Sequence, residues 1–147
     1  MKKQQTTPLY ELRKLQTDFP KVKIDSPRKA ADFIRQFYGD DIEIYESFFI
    51  LLLNQAKQTI GYAKILQGGI TGTVVDLRIV AKYAVDALAT SVILAHNHPS
   101  GNLNPSQQDV ALTKKAVEGL RLLDIGVFDH VILTANGYCS LSNEGII

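Results

Sequence analysis

A chain of 147 residues with net charge +1, 46% hydrophobic and 21% charged, has the composition of an ordinary soluble globular domain and enough length for one worthwhile core. Its lysines and arginines are spread along the chain, so there is no electrostatic footprint of a dedicated nucleic-acid binder beyond a local patch. A single cysteine, Cys139, excludes an intrachain disulfide and a paired-cysteine metal knuckle; the longest apolar runs, such as FFILLL at 48–53, are too short to span a bilayer.

Residues 1–24 are polar, carry Pro8 and Pro20, and read as an N-terminal arm or tail ahead of a domain at 25–147. The opening MKKQQTTPLYELRK has no apolar segment of a secretory signal, so the expected compartment is the cytoplasm, with no membrane partner. Ser26-Pro27 offers an N-cap followed by proline at the first helical position; Ala30, Phe33, Ile34 and Phe37 keep helical spacing until Gly39. The run ESFFILLLN (46–54) suits a buried strand, QTIGYAKIL (58–66) its hairpin partner, and TGTVVD (71–76) a third strand.

Asp76 is placed to cap a helix whose apolar stripe is Ile79, Val80, Tyr83, Ala84, Ala87 and Leu88. SVILAH (91–96) is a further buried strand, and residues 107 to about 123 return to helical spacing through Val110, Val117, Leu120 and Leu123. VFDHVILT (127–134) and YCSLS (138–142) flank Asn136-Gly137, a strong hairpin signal. This order predicts an α/β fold, a mixed β-sheet flanked by helices, with no boundary evident after residue 25.

The stretch HNHPSGNLNPSQQD (96–109) carries the chemistry. Side chains of an extended chain repeat their direction every two residues, so His96 and His98 at a strand end can present both imidazoles to one point. Pro99 and Pro105 stiffen the loop that delivers Asp109 on the first turn of the next helix, where negative charge is favoured. Two neutral imidazoles and a carboxylate suit Zn²⁺, and three protein ligands leave a fourth position for water, the mark of a catalytic site. Zinc in such a site brings the pKa of water to around 7. Ser106-x-x-Asp109 is also a capping box, and the two readings are compatible: the Ser106 oxygen can cap the helix while its hydrogen points to a developing oxyanion.

His96-x-His98, seven residues, Ser106, two residues, Asp109 resembles the JAMM (MPN+) metalloprotease signature, gap lengths included. ILAHNHPSG, the following PSQQD and the later DHVIL together look like the RadC family of JAMM-type domains, a likeness running from about residue 24 to the C-terminus. Many members have proline where this chain has Leu77, away from the ligand positions. The resemblance implies a cytidine-deaminase-like JAB/MPN fold and a zinc-dependent hydrolase of amide bonds acting on an unknown peptide or protein. Longer members carry a helix-hairpin-helix region, and nothing like it is visible in this sequence, so a stand-alone domain is expected. The resemblance also implies a general base on the activated water. Spacing leaves Glu43, Glu46 and more distant acids open; the resemblance selects Glu46.

Two other readings accompany it. The family's traditional DNA-repair label suggests a DNA-associated module, which the near-neutral composition does not support, and a metal-stabilised scaffold without turnover would need the same ligands. A zinc deaminase would need H-x-E and P-C-x-x-C, and the chain has neither. His130 reads as a buried, hydrogen-bonded histidine or as one that orients a ligand from behind. Asn97, Ser100 and Asn102 read as polar loop residues or substrate contacts, Cys139 as a small core residue, and Lys2-Lys3 and Lys114-Lys115 as solvated charge. Oligomeric state is not encoded in any pattern found.

Overall fold

The run Ser47–Leu53 is buried along its whole length as strand β1, because it lies inside a sheet with both faces covered. The computed structural model describes residues 3–68 and 74–147. In chain order its elements are α1 (Pro27–Arg35), a 3₁₀ turn (Asp40–Glu43), β1, β2 (Thr59–Gln67), α2 (Leu77–Asp86), β3 (Ser91–Asn97), α3 (Gln107–Arg121), β4 (Gly126–Leu133) and β5 (Tyr138–Ser140). Among the described residues five strands form one sheet in the order β2-β1-β3-β4-β5. All neighbours are antiparallel except β3 and β4, which α3 joins as a parallel crossover. The fold is therefore the mixed α/β architecture that the alternation of elements predicts.

Alternation in the strands divides the core in two. Leu51, Leu53, Ile93, Ala95, Val131 and Leu133 face α1, which contributes Ala30, Ala31, Phe33 and Ile34. Phe48, Ile50, Leu52, Val92 and Leu94 face the other way, against Val80 and Ala84 of α2 and Ala116 and Leu120 of α3. Helix starts follow the expected caps: Ser26 Oγ accepts from Lys29 N–H, and Asp76 accepts from Arg78 N–H.

Local pattern and structure differ in three places. Of the expected strand at 71–76, residues 71–73 lie outside the described residues, and 74–76 are irregular chain leading into α2. The stripe on α2 is narrower than its spacing suggests: Val80 and Ala84 are buried, whereas Leu88 is 83% exposed because the helix ends at Asp86 and Leu88 takes a left-handed backbone, φ 52°. Cys139 is only half-buried, since β5 is a three-residue edge strand.

Before α1 residues 3–18 are exposed, and from Phe19 the chain docks on the domain. Phe19 packs on Phe33, Phe37 and Tyr62, and Ile24 N–H donates to the Lys57 carbonyl at 2.8 Å, leaving Ile24 fully buried. No helix among the described residues is long and apolar enough to cross a membrane.

Candidate metal centre

β3 delivers both histidines to one place. His96 is its penultimate residue, and His98 follows Asn97 with its N–H still bonded to the Leu133 carbonyl of β4, 2.9 Å. The extended backbone therefore persists through His98, and the two imidazoles stand on the same face with their Nε2 atoms 3.0 Å apart. α3 supplies the third member. Ser106 Oγ accepts from Asp109 N–H at 3.0 Å, and Asp109 Oδ2 accepts from Ser106 N–H at 2.8 Å, so the capping box exists and aims the carboxylate inward. Asp109 Oδ1 lies 3.2 Å from His96 Nε2, and Oδ2 lies 3.2 Å from His98 Nε2.

Backbone carbonyls decide where the protons on these rings sit. His98 Nδ1 is 2.6 Å from the Asn102 carbonyl, which only accepts, so Nδ1 carries hydrogen and the neutral ring turns its Nε2 lone pair to the centre. His96 is set from behind. Thr113 Oγ1, one helical turn beyond Asp109, donates its single hydrogen to the Asp109 carbonyl at 2.7 Å. That hydroxyl must then accept from His130 Nδ1 at 2.6 Å. Neutral His130 is left with a bare Nε2, 2.8 Å from His96 Nδ1, so His96 donates there and its own Nε2 lone pair also faces the centre. His130 is completely buried, and burial holds it well below the ordinary imidazole range, hence neutral.

Two lone pairs and a carboxylate thus confront one another at 3.0–3.2 Å, a repulsive arrangement unless positive charge lies among them. Partial burial by itself would push the Asp109 carboxyl up, but donation from the imidazoles whenever their Nε2 atoms carry a proton, together with Ser106 N–H, holds it far below the usual carboxylate range. His98 is shifted up from 6.5, first by its bond to Asp109 against desolvation, then by the Asn102 carbonyl and the negative charges of Asp109 and Glu46. A proton can supply the positive charge. So can a metal: donors about 2.0–2.1 Å from a shared tetrahedral cation stand about 3.3 Å from one another, close to the separations present. His96, His98 and Asp109 offer ligand atoms all within 4.8 Å of one another, and the donor set of two imidazoles and one carboxylate suits zinc.

Beside the trio lies an open cleft of about 630 Å³ whose walls include Glu43, Ile44, Glu46, His98, Pro99 and Ser106. Both acids left open by spacing therefore reach the same cleft. Glu46, half-buried at the start of β1, is the one whose charge acts on His98. Ser106 is exposed on the same wall, and Ser100 and Asn102 also line it, Ser100 Oγ accepting from Asn102 N–H at 3.3 Å.

Asn97 has a different place from the one loop polarity suggests. It points to the opposite side of β3 from the histidines and is fully buried. Its Oδ1 accepts from Ser47 N–H at 2.8 Å, and its Nδ2 donates to the carbonyls of Ile42 and Tyr45 at 2.8 and 2.9 Å. These bonds bracket Glu46 on both sides and moor the 3₁₀ segment to β3. The alternation of an extended strand places the residue between two converging histidines on the far face; what it meets there lies 50 positions earlier in the chain and leaves no local signal.

A mixed sheet with a His-His-Asp centre of metal-ligand chemistry at the carboxyl end of a parallel-paired strand, beside an open cleft, defines the class: a JAB-type domain with the elements of a metal site. The family model of the RadC-like JAB domain matches residues 24–146, and the chain belongs to that family. Among curated proteins it is similar to the UPF0758 protein of Flavobacterium johnsoniae, 42% identical over 124 residues that cover 84% of this chain and 53% of that one. The UPF0758 protein of Methanococcoides burtonii is 40% identical over 150 residues, 99% of this chain and 64% of the other. That of Porphyromonas gingivalis is 40% identical over 103 residues, 69% and 45% respectively. The chain thus spans about half the length of most of these relatives.

Proposed function

We propose that this domain is a zinc-dependent hydrolase of amide bonds in peptides or proteins, of the JAMM metallopeptidase type. The observation that carries the reading is the convergence of His96 Nε2, His98 Nε2 and the Asp109 carboxylate within 3.0–3.2 Å, with both lone pairs directed inward by carbonyl-anchored hydrogen bonds. Bound zinc would supply Lewis acidity and make hydroxide available from water near neutral pH.

The chain's own groups supply the remaining parts. Glu46, held in the cleft by the bonds that Asn97 makes on either side of it, takes a proton from the attacking water and returns it to the departing amine. Ser106 Oγ is already an acceptor from Asp109 N–H, which leaves its hydrogen to donate to the oxyanion that grows on the scissile carbonyl. Ile44 and Pro99 give the cleft apolar wall, and its volume of about 630 Å³ falls within the roughly 300–1,000 Å³ of ordinary ligand sites.

Metal analysis of protein purified without chelator tests the centre: one zinc per chain is expected, and none in His98→Ala. Wild-type protein without zinc removes the reading. With a peptide library as substrate, Glu46→Ala should abolish cleavage while retaining the metal; cleavage that survives the substitution takes Glu46 out of the mechanism.

A further inference from the structure

Resting on the metal reading above, we infer that His130 and Thr113 are positioning residues that set the tautomer of His96, so that the protein presents a ready ligand before any ion arrives. The bonds run in one direction through buried groups. The Asp109 carbonyl accepts from Thr113 Oγ1 at 2.7 Å, Thr113 Oγ1 from His130 Nδ1 at 2.6 Å, and His130 Nε2 from His96 Nδ1 at 2.8 Å. A carbonyl has no hydrogen to give, so its position at the end of the chain fixes every donor before it. Thr113 and His130 are 0% exposed and His96 3%, so no water competes for these bonds.

The alternative orientation is incompatible with metal ligation by His96. Were His130 to carry its hydrogen on Nε2, it would donate to His96 Nδ1, and neutral His96 would be protonated on Nε2. That nitrogen would then have no lone pair for a cation. The Thr113 hydroxyl thus reaches the centre through two rings, and it also ties the ring chain to the backbone of Asp109, whose carboxylate is the third donor. Phe48 closes the ring chain on its open side, stacked on His96 at 5.8 Å and edge-on to His130 at 5.7 Å. Ring orientation and proton position are in this way set together, a role that hydrogen-bond partners of metal-ligating histidines commonly perform.

The test compares wild type, Thr113→Val, which removes the hydroxyl at nearly constant shape, and Thr113→Ser, which restores it. Long-range ¹⁵N–¹H spectra of the metal-stripped full chain, recorded well above the ordinary imidazole pKa of about 6.5, read the tautomer of His96 directly. Wild type and Thr113→Ser should carry the His96 hydrogen on Nδ1, and Thr113→Val should shift it in part to Nε2. Competition with a chromophoric chelator should give zinc affinity about 10- to 100-fold weaker for Thr113→Val and within about threefold of wild type for Thr113→Ser. A wild-type His96 protonated on Nε2 overturns the inference without reference to any variant. So does a Thr113→Val protein with unchanged tautomer and affinity, even if it melts lower, because a packing role alone moves only the melting temperature. Failure of wild type to take up zinc would sink the proposed function instead, while the His96 spectrum still decides the relay.

Discussion

At the scale of single residues, His98 makes the centre's preference for positive charge measurable. Its pKa is raised from 6.5 in the folded protein, chiefly by Asp109, whereas Asp109 stays ionised through the whole range. The protonated His98–Asp109 pair therefore stabilises the metal-free protein below the unfolded histidine value of about 6.5, and this contribution is lost as pH rises through the higher folded value. Zinc bound at the proposed centre would reverse the trend, because it needs the neutral ring and competes with the proton. Melting curves of the stripped protein should show His98's contribution fading across that window, and those at constant free zinc should show the metal's stabilisation growing. In His98→Ala both trends should disappear. A zinc-induced shift that does not grow with pH would contradict the shared place of proton and metal.

Between elements, polar contacts join segments far apart in sequence. Arg35 at the end of α1 reaches across to the carbonyls of Thr134 and Gly137, at 2.7 and 3.0 Å, and holds the β4–β5 turn. Asn97 does the same for the segment before β1, satisfying one N–H and two carbonyls. Removing a partner from a buried polar group costs about 1–3 kcal/mol for each group left unsatisfied. Asn97→Ala, which leaves all three groups without their partner, should therefore lower stability by about 3 kcal/mol or more in denaturant titration and, under the proposed function, should weaken catalysis beyond its effect on zinc content because Glu46 loses its mooring. A midpoint equal to wild type would show that water replaces the amide. Asp129, buried within β4, keeps a raised pKa through burial although Ser140 Oγ and the N–H groups of His130 and Ser142 all donate to it.

At the scale of the whole molecule, His96 shares the sheet face of Val92 and Leu94, so a metal held there under the proposed function would be thermodynamically linked to the fold. Free zinc at about 100 times its dissociation constant should stabilise the folded chain by roughly 2.7 kcal/mol, and a chelator should reverse this. Identical melting of zinc-loaded and chelator-treated protein would show that the trio is no metal centre. Most elements were legible beforehand because their signals are short-range: the Ser26-Pro27 and Asp76 caps, the run at Ser47–Leu53 and the hairpin at Asn136-Gly137 each act over a few residues. Leu88 escaped the same logic, since periodicity continues past Asp86 while the backbone turns left-handed and exposes the side chain.

The sequence by itself determined the convergence of the His-His-Asp trio, because strand alternation governs His96 and His98 and a three-residue capping box governs Asp109, both set by local backbone geometry. Only tertiary structure decided which way their protons point and what holds Glu46. His130 meets His96 across 34 residues and Thr113 across 17, and Asn97 meets Ser47 across 50. Hydrogen-bond direction at the centre is fixed by the carbonyls that end each chain of donors. Which carbonyl stands there depends on how β3, β4 and α3 pack together.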